Sequence, residues 1–238
     1  MSRLVIGVMT TRRARDRRRW IRSTWGAHFP HLFYSDHWAP WENIVRVSRA
    51  THYKSNEEKH INFLNMFGPF LAARYEWIFC CDDDTFILPQ NLIKFLESDP
   101  DPSSVHGSVD DFEKCPGNPI FNRVDRSLRY PAGGCGYLIS REVVDRIHPL
   151  KNFGTGYSDV SLGLNLAAQG VGLVDRDDRF FAQTPEHFGH GPAGVTEAVS
   201  YHYIKTEAAV RRLADGIPPA PVGESFRLPL SCWLSIAW

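Results

Sequence analysis

The stretch Trp77-Ile78-Phe79-Cys80-Cys81-Asp82-Asp83-Asp84-Thr85-Phe86-Ile87-Leu88 admits few folds. Five apolar or aromatic residues run directly into three adjacent carboxylates, and an apolar run resumes after Thr85. A short, bounded apolar run reads as a strand buried on both faces of an α/β sheet, although periodicity alone also fits a buried helix. As a strand it delivers the acids to its carboxyl end, where open α/β sheets bind ligands. Three neighbouring acids repel one another and are costly beside a core, so a positive partner is expected. Hard oxygen ligands suit Mg²⁺ or Mn²⁺, and an ion held by few protein ligands bridges to phosphates. A solvated acidic turn is the alternative reading.

A chain of 238 residues can bury a sizeable core as one domain. Lys plus Arg and Asp plus Glu are equal at 27 each, so no global field draws it to nucleic acid or to anionic lipid. The five cysteines have no zinc-like spacing, and Cys80 and Cys81 are expected on opposite strand faces as apolar filling. After Met1-Ser2-Arg3 comes an apolar run of strand length only, too short for a signal peptide or a membrane span, so the chain as given is expected to be soluble.

Leu4 to Met9 predicts a first buried strand, and Thr10-Thr11 ends it at a place where nucleotides are cradled. An arginine-dense helix follows, with Trp20, Ile21 and Trp25 on its apolar stripe. Most of its arginines read as a solvated face, and one or two near the strand end as partners for a diphosphate. Leu32 to Tyr34 predicts a strand closed by Asp36, either a ribose- or base-reading acid or a turn former. Ile44 to Val47 predicts a third strand. Ser55 and Glu58 form a capping box for a helix that Gly68-Pro69 should kink or split. Asp110 to Arg129 reads as a polar surface loop. In Tyr130 to Ser140, Gly133, Gly134 and Gly136 imply a backbone that turns sharply or approaches a ligand closely. Asp159 stands at or next to a helix N-cap, so capping is one role open to it. Val199 to Ile204 alternates as a strand, with Ser200, His202 and Ile204 on one face. The last helix is expected to start at Thr206, and 216–238 reads as a C-terminal tail.

In order, these pieces resemble the Fringe-like β1,3-glycosyltransferases, family 31, and most nearly the core-1 galactosyltransferase branch. The family's R-x-x-x-R-x-T-W entry resembles Arg18 to Trp25. Its D-W-[FY]-x-x-x-D-D-D-T-[FY] core resembles Glu76 to Phe86. Its G-G-[AC]-G-Y-[VL]-[IL]-S segment is similar to Gly133 to Ser140, its E-D-[VL]-x-x-G to Ser158 to Gly163, and its late V-S-F-H-Y-V to Val199 to Ile204.

The resemblance implies an α/β, GT-A fold in a single domain over 1–215. A Rossmann-like nucleotide-binding half would occupy 1–100 and an acceptor half 101–215, on a mixed central sheet flanked by helices. It implies an inverting transferase that uses Mn²⁺, or Mg²⁺, and moves a sugar from a UDP-sugar to a glycan or glycoconjugate hydroxyl. UDP-galactose is the first expected donor and UDP-N-acetylglucosamine the second. By resemblance Asp84 and His202 are the metal ligands and Asp159 the catalytic base. Asp82 and Asp83, with Thr11, Asp36, Gly133 and Gly134, serve the nucleotide-sugar. Two departures stand out: Ser158 replaces the acid that precedes the base in most relatives, and Fringe itself carries its metal histidine about where Gln183 stands, which makes His187 or His190 the fallback. Eukaryotic relatives work in the Golgi lumen behind an N-terminal anchor. A non-catalytic UDP-sugar-binding scaffold and a metal-dependent phosphoesterase are the competing readings.

Overall fold

The continuous apolar runs of the sequence become the middle strands of a seven-stranded mixed sheet. A computed structural model describes residues 2–52, 55–190 and 197–219. Its strands in chain order are β1 (Ser2–Met9), β2 (His31–Ser35), β3 (Ile44–Arg46), β4 (Tyr75–Asp82), β5 (Phe86–Ile87), β6 (Ser104–Gly107), β7 (Val109–Asp110), β8 (Tyr130–Pro131), β9 (Tyr137–Ser140), β10 (Gly172–Asp175), β11 (Phe180–Phe181) and β12 (Ser200–Tyr201). The α-helices are α1 (Arg15–Ser23), α2 (Asn56–Ala72), α3 (Pro89–Glu97), α4 (Arg141–Ile147), α5 (Ser158–Ala168) and α6 (Glu207–Ala214). None of the helices among the described residues is long and apolar enough to cross a membrane. Most of the expected tail, from residue 220 on, lies outside the described residues.

The large sheet has the order β10-β6-β9-β4-β1-β2-β3. Pairing is parallel from β4 through β1 and β2 to β3, and β9 runs antiparallel to both β4 and β6. Alternate residues of β1 and β4 enter two separate cores: Ile6, Val8, Phe79 and Cys81 face one, and Val5, Ile78 and Cys80 the other. Both faces are therefore covered, which is why these strands read as unbroken apolar runs. Cys80 and Cys81 are buried free thiols on opposite faces.

The reversed β9 matters most for function. Because Tyr137 pairs with Cys80 antiparallel, the start of β9 lies beside the carboxyl end of β4. The glycine segment and the acidic triplet, about fifty residues apart in sequence, thus meet at one edge.

Three expected elements turn out differently. Ser55 does not cap α2; its hydroxyl donates to the carbonyls of Ala50 and His52, and Glu58 accepts from Ser48 instead. Pro69 does not split α2, which continues to Ala72. The carbonyl that proline leaves without a donor, that of Asn65, lies 3.3 Å from His148 Nε2. The late strand is only Ser200–Tyr201, because Tyr203 adopts φ 60° and the chain leaves the extended form at His202. The segment after Asp110 has its own small core, where Ile120, Phe121, Leu128 and Tyr130 meet Val160 of α5.

Other local signals have the expected result. Ser140 and Thr206 accept from the amides of Val143 and Ala209 at the starts of α4 and α6. Gly170, at φ 60°, follows the end of α5.

Candidate active site

At the end of β4 the chain turns tightly, with the Thr85 amide donating to the Asp82 carbonyl. The three acids part company there. Asp83 turns toward β1 and α1, accepting from Thr10 Oγ1 at 2.6 Å and from Arg17 Nη1 at 2.7 Å. Burial nevertheless outweighs these partners and raises its carboxyl above the ordinary range. Asp84 turns toward the segment after β12: its Oδ1 lies 3.2 Å from His202 Nε2, and its Oδ2 lies 3.4 Å from Lys205 Nζ and 3.7 Å from Arg17. Burial pushes Asp84 up, but His202, Arg17 and Lys205 together pull it below the usual carboxylate value. Asp82 faces the same histidine at 4.0 Å. Burial, reinforced by Asp84, Asp83 and Asp159 against the opposing pull of His202, raises Asp82 to about 7.

Asp82, Asp84 and His202 each offer one ligand atom, all within 4.8 Å of one another. Two carboxylates and an imidazole are a donor set suited to Mn²⁺ or Mg²⁺. The 3.2 Å between Asp84 Oδ1 and His202 Nε2 is close to the ~3 Å between adjacent ligands of an octahedral ion at ~2.1 Å, so the residues fit a divalent cation. Asp82 is thus grouped with the prospective ligands as well as with the nucleotide side.

His202 is held by its backbone. Its amide donates to the Phe181 carbonyl, and the Ile204 amide donates to the Asp84 carbonyl, tying the turn after β12 to the acidic turn. The imidazole packs against Gly134, where an added Cβ would sit 2.1 Å from its Cε1. Only a residue without a side chain permits that approach. Thr85 Oγ1 donates to the Gly134 carbonyl and Ser200 Oγ to that of Cys135, locking the glycine segment between the two turns.

Asp159 lies in the first turn of α5, after Tyr157 at the N-cap. Its Oδ1 accepts from the Val160 amide, and its Cβ is 3.5 Å from where a Cβ on Gly133 would be. Burial raises its carboxyl above the ordinary value. One solvent-open cleft, with about 710 Å³ of free space, is lined by Asp82, Gly133, Gly134, Asp159 and His202. Its floor carries Tyr34 and Tyr137 with His60 between them: Tyr34 Oη lies 2.7 Å from Nδ1, and Nε2 contacts the Tyr137 hydroxyl. Burial lowers His60 to about 4, so it is neutral.

Thr11 and Asp36 stand at the ends of β1 and β2. The Thr11 carbonyl accepts from Arg18 at 2.6 Å, and Asp36 accepts from Ser35 Oγ and the Arg12 amide. Burial opposes ionisation of Asp36, but those bonds and nearby Lys59 bring it below the ordinary range. Neither residue lines the 710 Å³ cleft. His190 is not among the clustered ligands; its Nδ1 lies 2.9 Å from Tyr201 Oη. His187 and Gln183 are likewise outside that group.

Sequence reasoning passed over Lys205 and Glu57. Lys205 has only its place three residues after His202 to mark it. Glu57 carried a clearer signal: with Ile61 and Leu64 at four and seven residues' distance, it falls on the buried stripe of α2, where a carboxylate needs partners.

The chain matches the family described as Fringe-like over residues 1–162. Among solved structures it is similar to the galactosyltransferase LgtC in complex with donor and acceptor sugar analogues. Identity is 13%, the TM-score is 0.53, and the match covers 92% of this chain and 98% of that one. A glycosyltransferase involved in the glycosylation of the major capsid of PBCV-1 aligns at 12% identity and TM-score 0.49, over 90% of this chain and 99% of the other. At 13% identity the first likeness speaks for the fold, which is GT-A.

Proposed function

The chain belongs to the Fringe-like family of glycosyltransferases, and on that premise we propose that it is an inverting, metal-dependent transferase using a UDP-sugar. The acceptor is a hydroxyl of a glycan or glycoconjugate, and the linkage formed is β1,3. UDP-galactose is the first donor to test and UDP-N-acetylglucosamine the second. Residues 1–100 form mainly the donor side and 101–215 mainly the acceptor side.

The observation that carries this reading is the shared cleft, which Asp82 and His202 of the ligand cluster line together with half-buried Asp159. A divalent cation, Mn²⁺ or Mg²⁺, held by Asp84 and His202 with Asp82 beside them would supply Lewis-acid stabilisation of the departing diphosphate. Arg17 and Lys205, already drawn to Asp84, add positive charge on the same side. The acceptor oxygen bonds to the anomeric carbon as the bond from that carbon to the phosphate oxygen breaks. UDP leaves with the electron pair, and the acceptor proton passes to Asp159. A half-buried carboxylate whose proton affinity is raised by desolvation suits that task. Inversion needs this one base and no covalent sugar–enzyme intermediate. Thr11, Asp36 and Asp83 serve the nucleotide end. Gly133 and Gly134 let the backbone come close to the sugar.

Asp159→Asn tests the assignment. Transfer is expected to fall by about 10²–10⁴-fold while Mn²⁺-dependent UDP binding by calorimetry stays unchanged. Near-normal turnover would remove Asp159 from the role of base.

A further inference from the structure

In the cleft that Asp82 lines, the chain leading into α5 has little structure of its own. Gly154 and Gly156 both take positive φ, 68° and 79°. Its internal bonds are short-range turns, from the Gly154 amide to Asn152 Oδ1 and from the Tyr157 amide to Thr155 Oγ1. The long-range tie comes from Glu57, about a hundred residues earlier in the first turn of α2. Its carboxylate accepts from the Phe153 amide at 3.0 Å, the Thr155 hydroxyl at 3.2 Å and the Gly156 amide at 2.5 Å. Glu57 is 2% exposed, so these bonds are made where solvent offers no substitute.

The loop it holds is a partition. Gly156 and Tyr157 line the donor-side cleft together with Asp159, and they also line a second cavity with about 1000 Å³ of free space. Glu57, Thr155 and Arg123 lie along that second cavity. An acceptor that reaches Asp159 from that side must pass the loop, and the loop leads within three residues to the base itself.

We infer that Glu57 is a positioning residue for transfer: by clamping residues 153–156 it fixes the acceptor-side wall and the approach of the acceptor hydroxyl to Asp159. This rests on the transferase reading above. Among the described residues Glu57 makes no hydrogen bond or ion pair to the ligand cluster or to the nucleotide-side residues, so its loss should weigh on the loop before Asp159 more than on donor binding. A carboxylate can receive all three donors at once. A glutamine keeps one accepting oxygen and turns an NH₂ toward donors, which breaks the clamp without changing side-chain size.

The test compares wild type with Glu57→Gln and Glu57→Asp, measuring kcat, KM for acceptor and for UDP-sugar, and amide exchange at 153–157. In Glu57→Gln the Phe153 and Gly156 amides are expected to lose protection. Acceptor kcat/KM should fall about tenfold or more, while KM for the UDP-sugar moves less than about twofold, as expected when charge-assisted bonds to a positioning loop are lost. Glu57→Asp, which keeps the charge, should recover part of the loss. Unchanged protection, unchanged acceptor kinetics, or parallel loss of donor and acceptor binding would each overturn the assignment. A wild type that binds UDP but transfers to no acceptor would instead bring down the transferase reading and this assignment with it.

Discussion

At the acidic turn after β4 the carboxylates face cationic or hydroxyl partners: Asp83 has Thr10 and Arg17, and Asp84 has His202, Lys205 and a more distant Arg17. The loop at residues 153–156 depends on one buried carboxylate belonging to another element. The first wall is held by several partners drawn from β1, α1 and the segment after β12. The second turns at two glycines of positive φ and, among the described residues, is tied over long range by Glu57. Such a division suits a site whose donor end handles a constant group, a nucleoside diphosphate, and whose acceptor end must admit and release a bulkier partner. Rigidity is concentrated where charge must be held, and it is light where a substrate enters.

The contrast breaks most sharply at Gly134. Gly134→Ala would put a Cβ 2.1 Å from the His202 ring and force the imidazole out of the ligand cluster. The Mn²⁺ concentration needed for UDP binding should rise roughly ten- to a hundredfold, the scale seen when the support of a metal ligand is lost. Exchange at 153–157 should not change. A metal titration identical to wild type would mean that His202 is packing and not a ligand.

A smaller effect sharpens the same picture through pH. Burial, helped by the neighbouring acids, raises Asp82 to about 7, well above an unfolded aspartate. Without an ion, the folded protein holds a proton there that the unfolded chain has already released. The Asp82 contribution to the stability of the metal-free protein is therefore lost as pH rises from about 4 to about 7, while neutral His60, lowered to about 4, contributes with the opposite sign, so the Asp82 part is read as the difference between wild type and Asp82→Asn. Cation binding displaces that proton, so affinity should strengthen about tenfold between pH 6 and pH 8. Asp82→Asn should flatten both slopes, in thermal melts and in metal titrations. A metal-free wild type that gains stability relative to Asp82→Asn between pH 5 and pH 7 would reverse the sign.

Much of this architecture is legible in the residues. β1 and β4 read correctly because both faces of each strand are covered and the apolar pattern is continuous. The cap hydroxyls of Ser140 and Thr206 are local signals with local outcomes. Failures occur where a tertiary partner overrides a local preference. Ser55 has the sequence of a cap, yet its hydroxyl is taken by carbonyls behind it. Pro69 should break a helix, yet a histidine from beyond α4 approaches the freed carbonyl. Val199 to Ile204 alternates as a strand, yet the chain must bend at Tyr203 to bring His202 over Gly134. At the site the residue types are visible in advance, but their directions are not. That Asp83 faces Arg17 while Asp82 and Asp84 face His202 follows from the turn and from neighbours far away in sequence. Glu57 is the instructive case, since an acid on a buried stripe announces a need for partners without naming them.

The most direct measurement incubates the protein with Mn²⁺, a panel of UDP-sugars and a mixture of glycan acceptors. Products are detected by mass spectrometry, and their anomeric configuration and linkage are read by NMR. The account predicts a metal-dependent product carrying one added hexose or N-acetylhexosamine in β1,3 linkage, with UDP-galactose as the best donor. Release of phosphate from simple esters with no sugar transferred, or a product of α configuration, would contradict it.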